Sequence, residues 1–337
     1  MSERKVESSE LRVEGPETDA ADSNPQPSTL NPQPHDSPGR RAWRRFRANR
    51  VALSSAVLLV LVLAFALVYP HFSPYQPEQL SDATFQPPTS QHWLGTDVHG
   101  RDLLVRLCSG AQISLLVGAV GAVVSLVIGV LWGAVAGYSG GRLDGAMMRI
   151  VDILYALPSI IVAIVLMSAL EAPLRNGLAA AGLANAAKVA RLLVLFLALG
   201  AVSWLTMARI VRGQVLSLRT RPFVEASRAL GAGPVRILSR HIIPNVLGIV
   251  IVYLTLTIPA IILSESFLSF LGLGIQPPLA SWGSLIAEGA SQINPIRVYW
   301  WLIVFPGVVL VGTLLALNFL GDGLRDAWDV RSGKSTI

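Results

Sequence analysis

The sequence predicts an all-α polytopic membrane protein with six transmembrane helices and both termini cytoplasmic. Three observations carry this reading. Of 337 residues, 52% are hydrophobic and 14% charged, against about 25% charged in a typical soluble domain, and mean hydropathy is +0.55. Six stretches are long and apolar enough to cross about 30 Å of hydrocarbon, which takes roughly 20 helical residues. Basic residues are also divided unevenly between the segments that join those stretches. This composition excludes disorder of the whole chain and argues against a soluble enzyme. A single cysteine, Cys108, excludes an intrachain disulfide and a cysteine-cluster metal site. Its apolar flanks read as packing, since buried thiols are inert.

Taken in chain order, residues 1–39 are rich in Pro, Ser, Asn and Gln and carry eight acidic and three basic side chains. With almost nothing to bury, they read as a disordered cytoplasmic tail. Residues 40–50, RRAWRRFRANR, hold six arginines and no acid. An apolar run follows at once, so this is a juxtamembrane anchor for the anionic inner leaflet. A signal peptide would not place its basic region behind 39 polar residues. The spans are expected near 51–69, 113–137, 147–170, 192–211, 248–270 and 300–320. Each must be helical, because backbone groups in lipid have no water to bond. Gly129, Gly133 and Gly137 recur every fourth residue in the second span and leave one face flat for a neighbouring helix. Lys188 and Arg191 crowd the start of the fourth. The chain thus divides into the tail 1–39, a unit 40–112 of anchor, first helix and outer loop, and a membrane core 113–337. The core carries a cytoplasmic loop at about 219–245 and a short C-terminal tail.

Orientation follows from charge. With the N-terminus inside, inner segments hold 21 Lys and Arg and outer ones six, or 18 against six without the three distal tail positions. Retention of basic residues in the cytoplasm is the strongest sequence cue to topology. The loops 70–112 and 271–299 then face outward. Counting acids as well, the inner side carries +7 and the outer −1. The net charge of +6 therefore records orientation and is not a nucleic-acid surface.

No motif carries catalysis. Ser332-Gly333-Lys334-Ser335 looks like the end of a phosphate loop, but Trp328 stands where the first glycine belongs and no helix can follow. The five histidines (35, 71, 92, 99 and 241) lack metal-ligand spacing. His92 and His99 share the outer loop without a third ligand nearby. Asp152 is expected a turn inside the third span, paired with Arg149 or a backbone donor, and Glu265 toward the outer end of the fifth. A proton relay would stack acids through the core; at opposite ends these two suit a structural or gating role. A stand-alone secondary transporter would want coupling residues at mid-membrane or interrupted helices. A membrane-embedded enzyme would want a base, a nucleophile and an orienting group.

The most informative segment joins spans four and five. Pro222 suits the first turn of a helix, Glu225 favours its dipole, and Gly231 to Pro234 stop it and start another. Phe223, Val224 and Leu230 would be out of place in a solvated loop, so this face is expected to pack against a partner protein. Glu225-Ala226-Ser227, then Gly231, then Ile242-Ile243-Pro244 resemble the EAA loop in permease subunits of ATP-binding-cassette importers. Ser227 replaces the second alanine of that pattern, and His241 stands where an aliphatic residue is common. Further segments resemble the second permease of dipeptide, oligopeptide and nickel importers: Leu94-Gly95-Thr96-Asp97, Gly100-Arg101-Asp102-Leu103, Gly137-Tyr138-Ser139-Gly140-Gly141, and Leu268-Ser269-Phe270-Leu271-Gly272-Leu273-Gly274. So do Gln276-Pro277-Pro278, Ser281-Trp282-Gly283, and Asn318-Phe319-Leu320-Gly321-Asp322-Gly323-Leu324-Arg325-Asp326, with Val330 in place of a usual proline. The likeness covers roughly residues 42–331.

The resemblance implies a type I importer permease fold in the bacterial inner membrane. It implies a heterodimer with a second permease, cytoplasmic ATPase subunits and an extracytoplasmic substrate-binding protein. The chain itself would be non-catalytic and without cofactor, ATP and magnesium belonging to the ATPase. The cargo would be dipeptides or oligopeptides, with a nickel chelate as the alternative. Glu225, Ala226, Ser227, Gly231, Phe223 and Leu230 would contact the ATPase. Gly95, Thr96, Asp97, Gly100, Arg101, Asp102 and Trp282 would shape the outer loop and gate.

Overall fold

A computed structural model describes residues 38–328. The expected disordered tail, apart from its last two positions, and the Ser332–Ser335 run lie outside the described residues.

The basic segment forms α1 (Pro38–Ala48), whose Ala42 and Phe46 are buried against Ala52 and Ala327. Asn49 ends it and caps α2 (Arg50–Phe72), its Oδ1 accepting the Ala52 N–H at 3.1 Å. This is the cap that a short polar side chain provides for an orphan helical donor. The next helix, α3 (Leu103–Ser139), starts ten residues before the expected boundary at 113. Asp102 Oδ1 accepts the Val105 N–H at 3.0 Å and opens it, so the end of the expected outer loop 70–112 is helical.

The third span is the main correction. The stretch 147–170 is not one helix but the end of α4 (Gly141–Ala156) and the start of α5 (Ser159–Ala180). Pro158 disfavours helical geometry at the residue before it, and Leu157 is extended. Only α5 of this pair is long and apolar enough to cross a membrane. Asp152 therefore sits on α4, outside that span.

The fourth span, α6 (Ala186–Leu218), lies along α3 in the most extensive helix pair of the structure. The glycine face makes this possible. A Cβ on Gly129 would lie 2.6 Å from Met207 Cβ, one on Gly133 2.4 Å from the Ala208 carbonyl oxygen, and one on Gly137 2.8 Å from that of Arg212. Two short elements follow, α7 (Pro222–Ala229) and α8 (Pro234–Ile237). A π segment over Leu238–Ile242 joins α8 to α9 (Ile243–Phe270), so Pro234–Phe270 is one helical run. After a loop, α10 (Trp282–Ser291) begins with a capping box between Ser281 and Ser284. The last helix is α11 (Trp301–Trp328).

α3 and α9 are the central pair. On one side α5 and α6 close a core around Val117, Leu195, Ala198 and Ile261. On the other, α2, α10 and α11 bury Ile262, Trp282 and Leu310. Among the described residues six helices are long and apolar enough to span a membrane.

Candidate functional site

The functional candidates gather at the two ends of the bundle. At one end, α7 is bracketed as its sequence dictates. Pro222 occupies the first turn, where its missing N–H loses nothing. Gly231 then takes φ +82°, a region open to glycine at little cost, and its N–H donates to the Arg228 carbonyl at 3.0 Å. Ser227 Oγ donates back to the Phe223 carbonyl at 2.8 Å. Val224 is fully buried among Val215, Ile237, Ile242 and Val246. The expectation that Val224 faces a partner therefore fails: it fastens α7 to its own chain. Phe223, Glu225, Ala226 and Leu230 are exposed, Leu230 at 88%. What α7 and Leu230 present outward is one carboxylate, the Arg228 guanidinium, small side chains and two large apolar ones.

Below α7, Arg212 of α6 holds Asp144 of α4 through two hydrogen bonds of 2.5 and 2.7 Å. Those bonds keep the Asp144 carboxyl below the usual carboxylate range. Asp144 also lies in the first turn of its helix, where a negative charge complements the dipole.

At the opposite end, segment 73–102 folds over the mouths of α3, α10 and α11. Gly95 and Gly100 take positive φ, and Thr96 bridges to Asp102. The Thr96 carbonyl accepts from Trp301 Nε1 at 3.2 Å. Asp97 accepts from the His99 and Arg101 N–H groups at 2.8 and 3.0 Å, from Arg101 Nε at 2.7 Å and from Arg106 Nη1 at 2.6 Å. Arg106 also reaches Glu288 of α10 at 2.6 and 3.0 Å. The two arginines and two acids form a neutral set that ties the loop to α3 and α10. Such a cluster persists only when every member is paired. His92 Nδ1 lies 2.9 Å from Asp102.

Residues 129–333 match the family model described as binding-protein-dependent transport system inner membrane component. Residues 37–88 match the N-terminal TM domain of oligopeptide transport permease C. The chain belongs to this permease family. The oligopeptide transport system permease protein OppC of Haemophilus influenzae is 44% identical over 298 residues, covering 86% of this chain and 89% of the relative. The dipeptide transport system permease protein DppC of Bacillus subtilis is 43% identical over 290 residues, 86% of this chain and 84% of that one. A chain of the inward-facing MetNI methionine ABC transporter aligns at TM-score 0.49 and 20% identity, over 65% of this chain and 94% of that one, a likeness too loose to add to the assignment.

Within the permease, the outer-loop candidates come together except for Trp282. That side chain is fully buried and tied to α3: its backbone N–H donates to Ser114 Oγ at 3.1 Å and its Nε1 to the Leu107 carbonyl at 3.3 Å. Ser114 is the edge of a second polar group. Glu265 of α9, with no exposed surface, accepts from Ser269 Oγ at 2.6 Å and stands 3.5 Å from Ser114 Oγ. Ser269 Oγ in turn accepts the Ile275 N–H at 3.1 Å. One carboxyl thus holds α3, α9 and the start of the following loop together. Residue-by-residue reading missed Arg106, Glu288 and Ser114, because Arg106 meets Glu288 across 182 residues and Ser114 meets Glu265 across 151. Asp152 is bound by Arg209 at 2.7 Å, not by Arg149.

Proposed function

We propose that this permease forms, with a second permease, the path for dipeptides or oligopeptides in an ATP-driven importer of a bacterial inner membrane. The observation that carries the reading is the state of α7: one side chain anchors it, while Glu225, Ala226 and Leu230 lie open at its surface. An eight-residue helix with so much uncovered apolar surface calls for a second protein. The EAA pattern on it and the peptide permeases among its relatives support a cytoplasmic ATPase as that protein. The α7 end and both termini then lie in the cytoplasm, and the 73–102 end meets an extracytoplasmic binding protein. The chain is a non-catalytic subunit, with ATP and magnesium held by the ATPase.

In this mechanism, closure of the ATPase dimer on ATP moves α7, and the helices packed on Val224 carry the movement across the bilayer. The ATPase must bind α7 with different affinity in its two states, since equal affinity shifts nothing. Gly231→Asp places a side chain at φ +82°, and Glu225→Lys reverses the one exposed charge of the opening turn. Both variants are expected to insert into the membrane at normal abundance and to lose peptide uptake. Wild-type uptake in either overturns the assignment of α7.

A further inference from the structure

The exposed faces of the spanning helices are not alike. α2 shows Val57, Leu61, Phe65 and Val68 outward, as a lipid-facing helix does. The second half of α6 shows Thr206, Arg209, Gly213 and Ser217. Their spacing of three, four and four residues makes one stripe along the helix. α4 adds Asp152 and Tyr155 beside it. Arg209 Nη2 donates to Asp152 Oδ1 at 2.7 Å, its guanidinium lies 4.1 Å from the Tyr155 ring centre, and Tyr155 Oη is 2.6 Å from Thr206 Oγ1. Arg209 and Asp152 nevertheless remain 43% and 55% exposed.

This set lies alongside the apolar lengths of its neighbours, not beyond them. Arg209 is nine residues before the end of α6, about 14 Å at 1.5 Å per residue. The residues flanking it, Ala208 and Arg212, face Gly133, six residues before the end of α3. Arg209 belongs to a helix long and apolar enough to span the membrane, and ionisable side chains on such helices almost always face a bundle interior or a water-filled cavity. An arginine reaching for headgroups would extend toward the membrane surface. Arg209 is instead folded onto Asp152 and Tyr155, and Asp152 is too short to reach far.

We infer that the α4–α6 stripe lines the water-filled path of the importer and contacts the transported peptide, a deepening that rests on the function proposed above. The chemistry fits a short peptide: the guanidinium suits carboxylates, the carboxylate suits ammonium groups, and the phenol and hydroxyls suit amides. The pair is neutral as a whole, so it presents partners for both charged ends of a peptide without retaining cargo of one sign.

The test uses the assembled complex of both permeases, ATPase and binding protein in vesicles, in a Cys108→Ser background. Thr206→Cys, Gly213→Cys and Ser217→Cys are each exposed to a charged, membrane-impermeant maleimide; Leu61→Cys on α2 is the lipid-facing control. A cysteine at Gly213 fits, since nothing lies within 4 Å of a Cβ there. Stripe cysteines are expected to react on the order of tenfold faster than the control, because a thiolate forms only in water. Peptide with binding protein should slow the reaction, and labelling should stop uptake. Arg209→Ala should raise KM for peptides with a free carboxylate more than for capped ones. Reaction no faster than at Leu61→Cys, whether the stripe faces lipid or a dry contact with the second permease, overturns the inference. So does labelling that peptide does not slow and that leaves uptake intact. Absence of peptide uptake by the unlabelled, otherwise unaltered complex is a failure of the importer reading; normal uptake with either of those labelling results is a failure of this one.

Discussion

Replacing Gly133 by alanine tests the packing of α3 on α6 at its tightest point. The added Cβ would sit 2.4 Å from the Ala208 carbonyl oxygen, 2.9 Å from Val211 Cβ and 3.0 Å from the Arg212 nitrogen. Two of these are backbone atoms and the third is a β-branched carbon, so no flexible side chain can swing away. Relief means parting the helices by about 1 Å locally, the distance from 2.4 Å to the 3.4 Å at which ordinary contact begins. A gap of that size forfeits roughly a quarter to a half of each contact it opens. Overpacking of this kind typically destabilises by about 1–3 kcal/mol. Alanine returns at most about 1 kcal/mol of helix propensity, so the net sign is a loss. The same propensity gain acts without opposition at Gly312, where nothing lies within 4 Å. Thermal unfolding of the purified complex, with Gly312→Ala as the matched control, reads the difference. Gly133→Ala should melt lower than wild type and Gly312→Ala no lower. Equal melting of the two variants would refute the claim that α3 and α6 meet backbone to backbone.

Other outcomes follow from the polar contacts. Arg212 lowers the Asp144 carboxyl below its ordinary value, so the stabilisation is fully present above the usual carboxylate range and is lost as pH falls through the lowered value. Asp144→Asn should melt lower than wild type at neutral pH, and the gap should close in acid; a gap that widens in acid would contradict the pairing. Glu265→Ala leaves the Ser269 and Ser114 hydroxyls without their carboxylate, at about 1–3 kcal/mol per unsatisfied buried group. It should melt lower than Glu265→Gln, an ordering that a melting series reads directly. Arg106→Gln strips Asp97 and Glu288 of a shared partner, and limited proteolysis should then cut segment 73–102 faster than in wild type.

What could be read from the sequence was whatever depends on neighbours along the chain. α7 was legible because Pro222 and Gly231 mark its two ends within ten positions. The glycine face of α3 was legible because a four-residue period is local, although its partner helix was not. The break at Leu157 was written in Pro158, but the continuous apolar run around it suggested a single span. The early start of α3 carried its signal in Asp102, a capping residue followed by Leu103-Leu104-Val105. That stretch also carries Arg106, one of whose two acid partners, Glu288, arrives 182 residues later. Val224 was misassigned for a related reason. A large apolar residue on a surface helix serves equally to hold a partner or to hold its own chain, and only the positions of Ile237, Ile242 and Val246 decide.

Val224 also has a mechanical meaning. Its pocket is built from the end of α6 and the beginning of the Pro234–Phe270 run, so α7 is pinned where two long rods converge. Those rods are about 50 and 55 Å long end to end, at 1.5 Å per residue for 33 and 37 residues. A rod tilted at one end sweeps its widest arc at the other. The far end of the Pro234–Phe270 rod is where Glu265 fastens the loop leading to α10. Under the proposed coupling, a tilt imposed at α7 would therefore be felt as a larger displacement at that fastening.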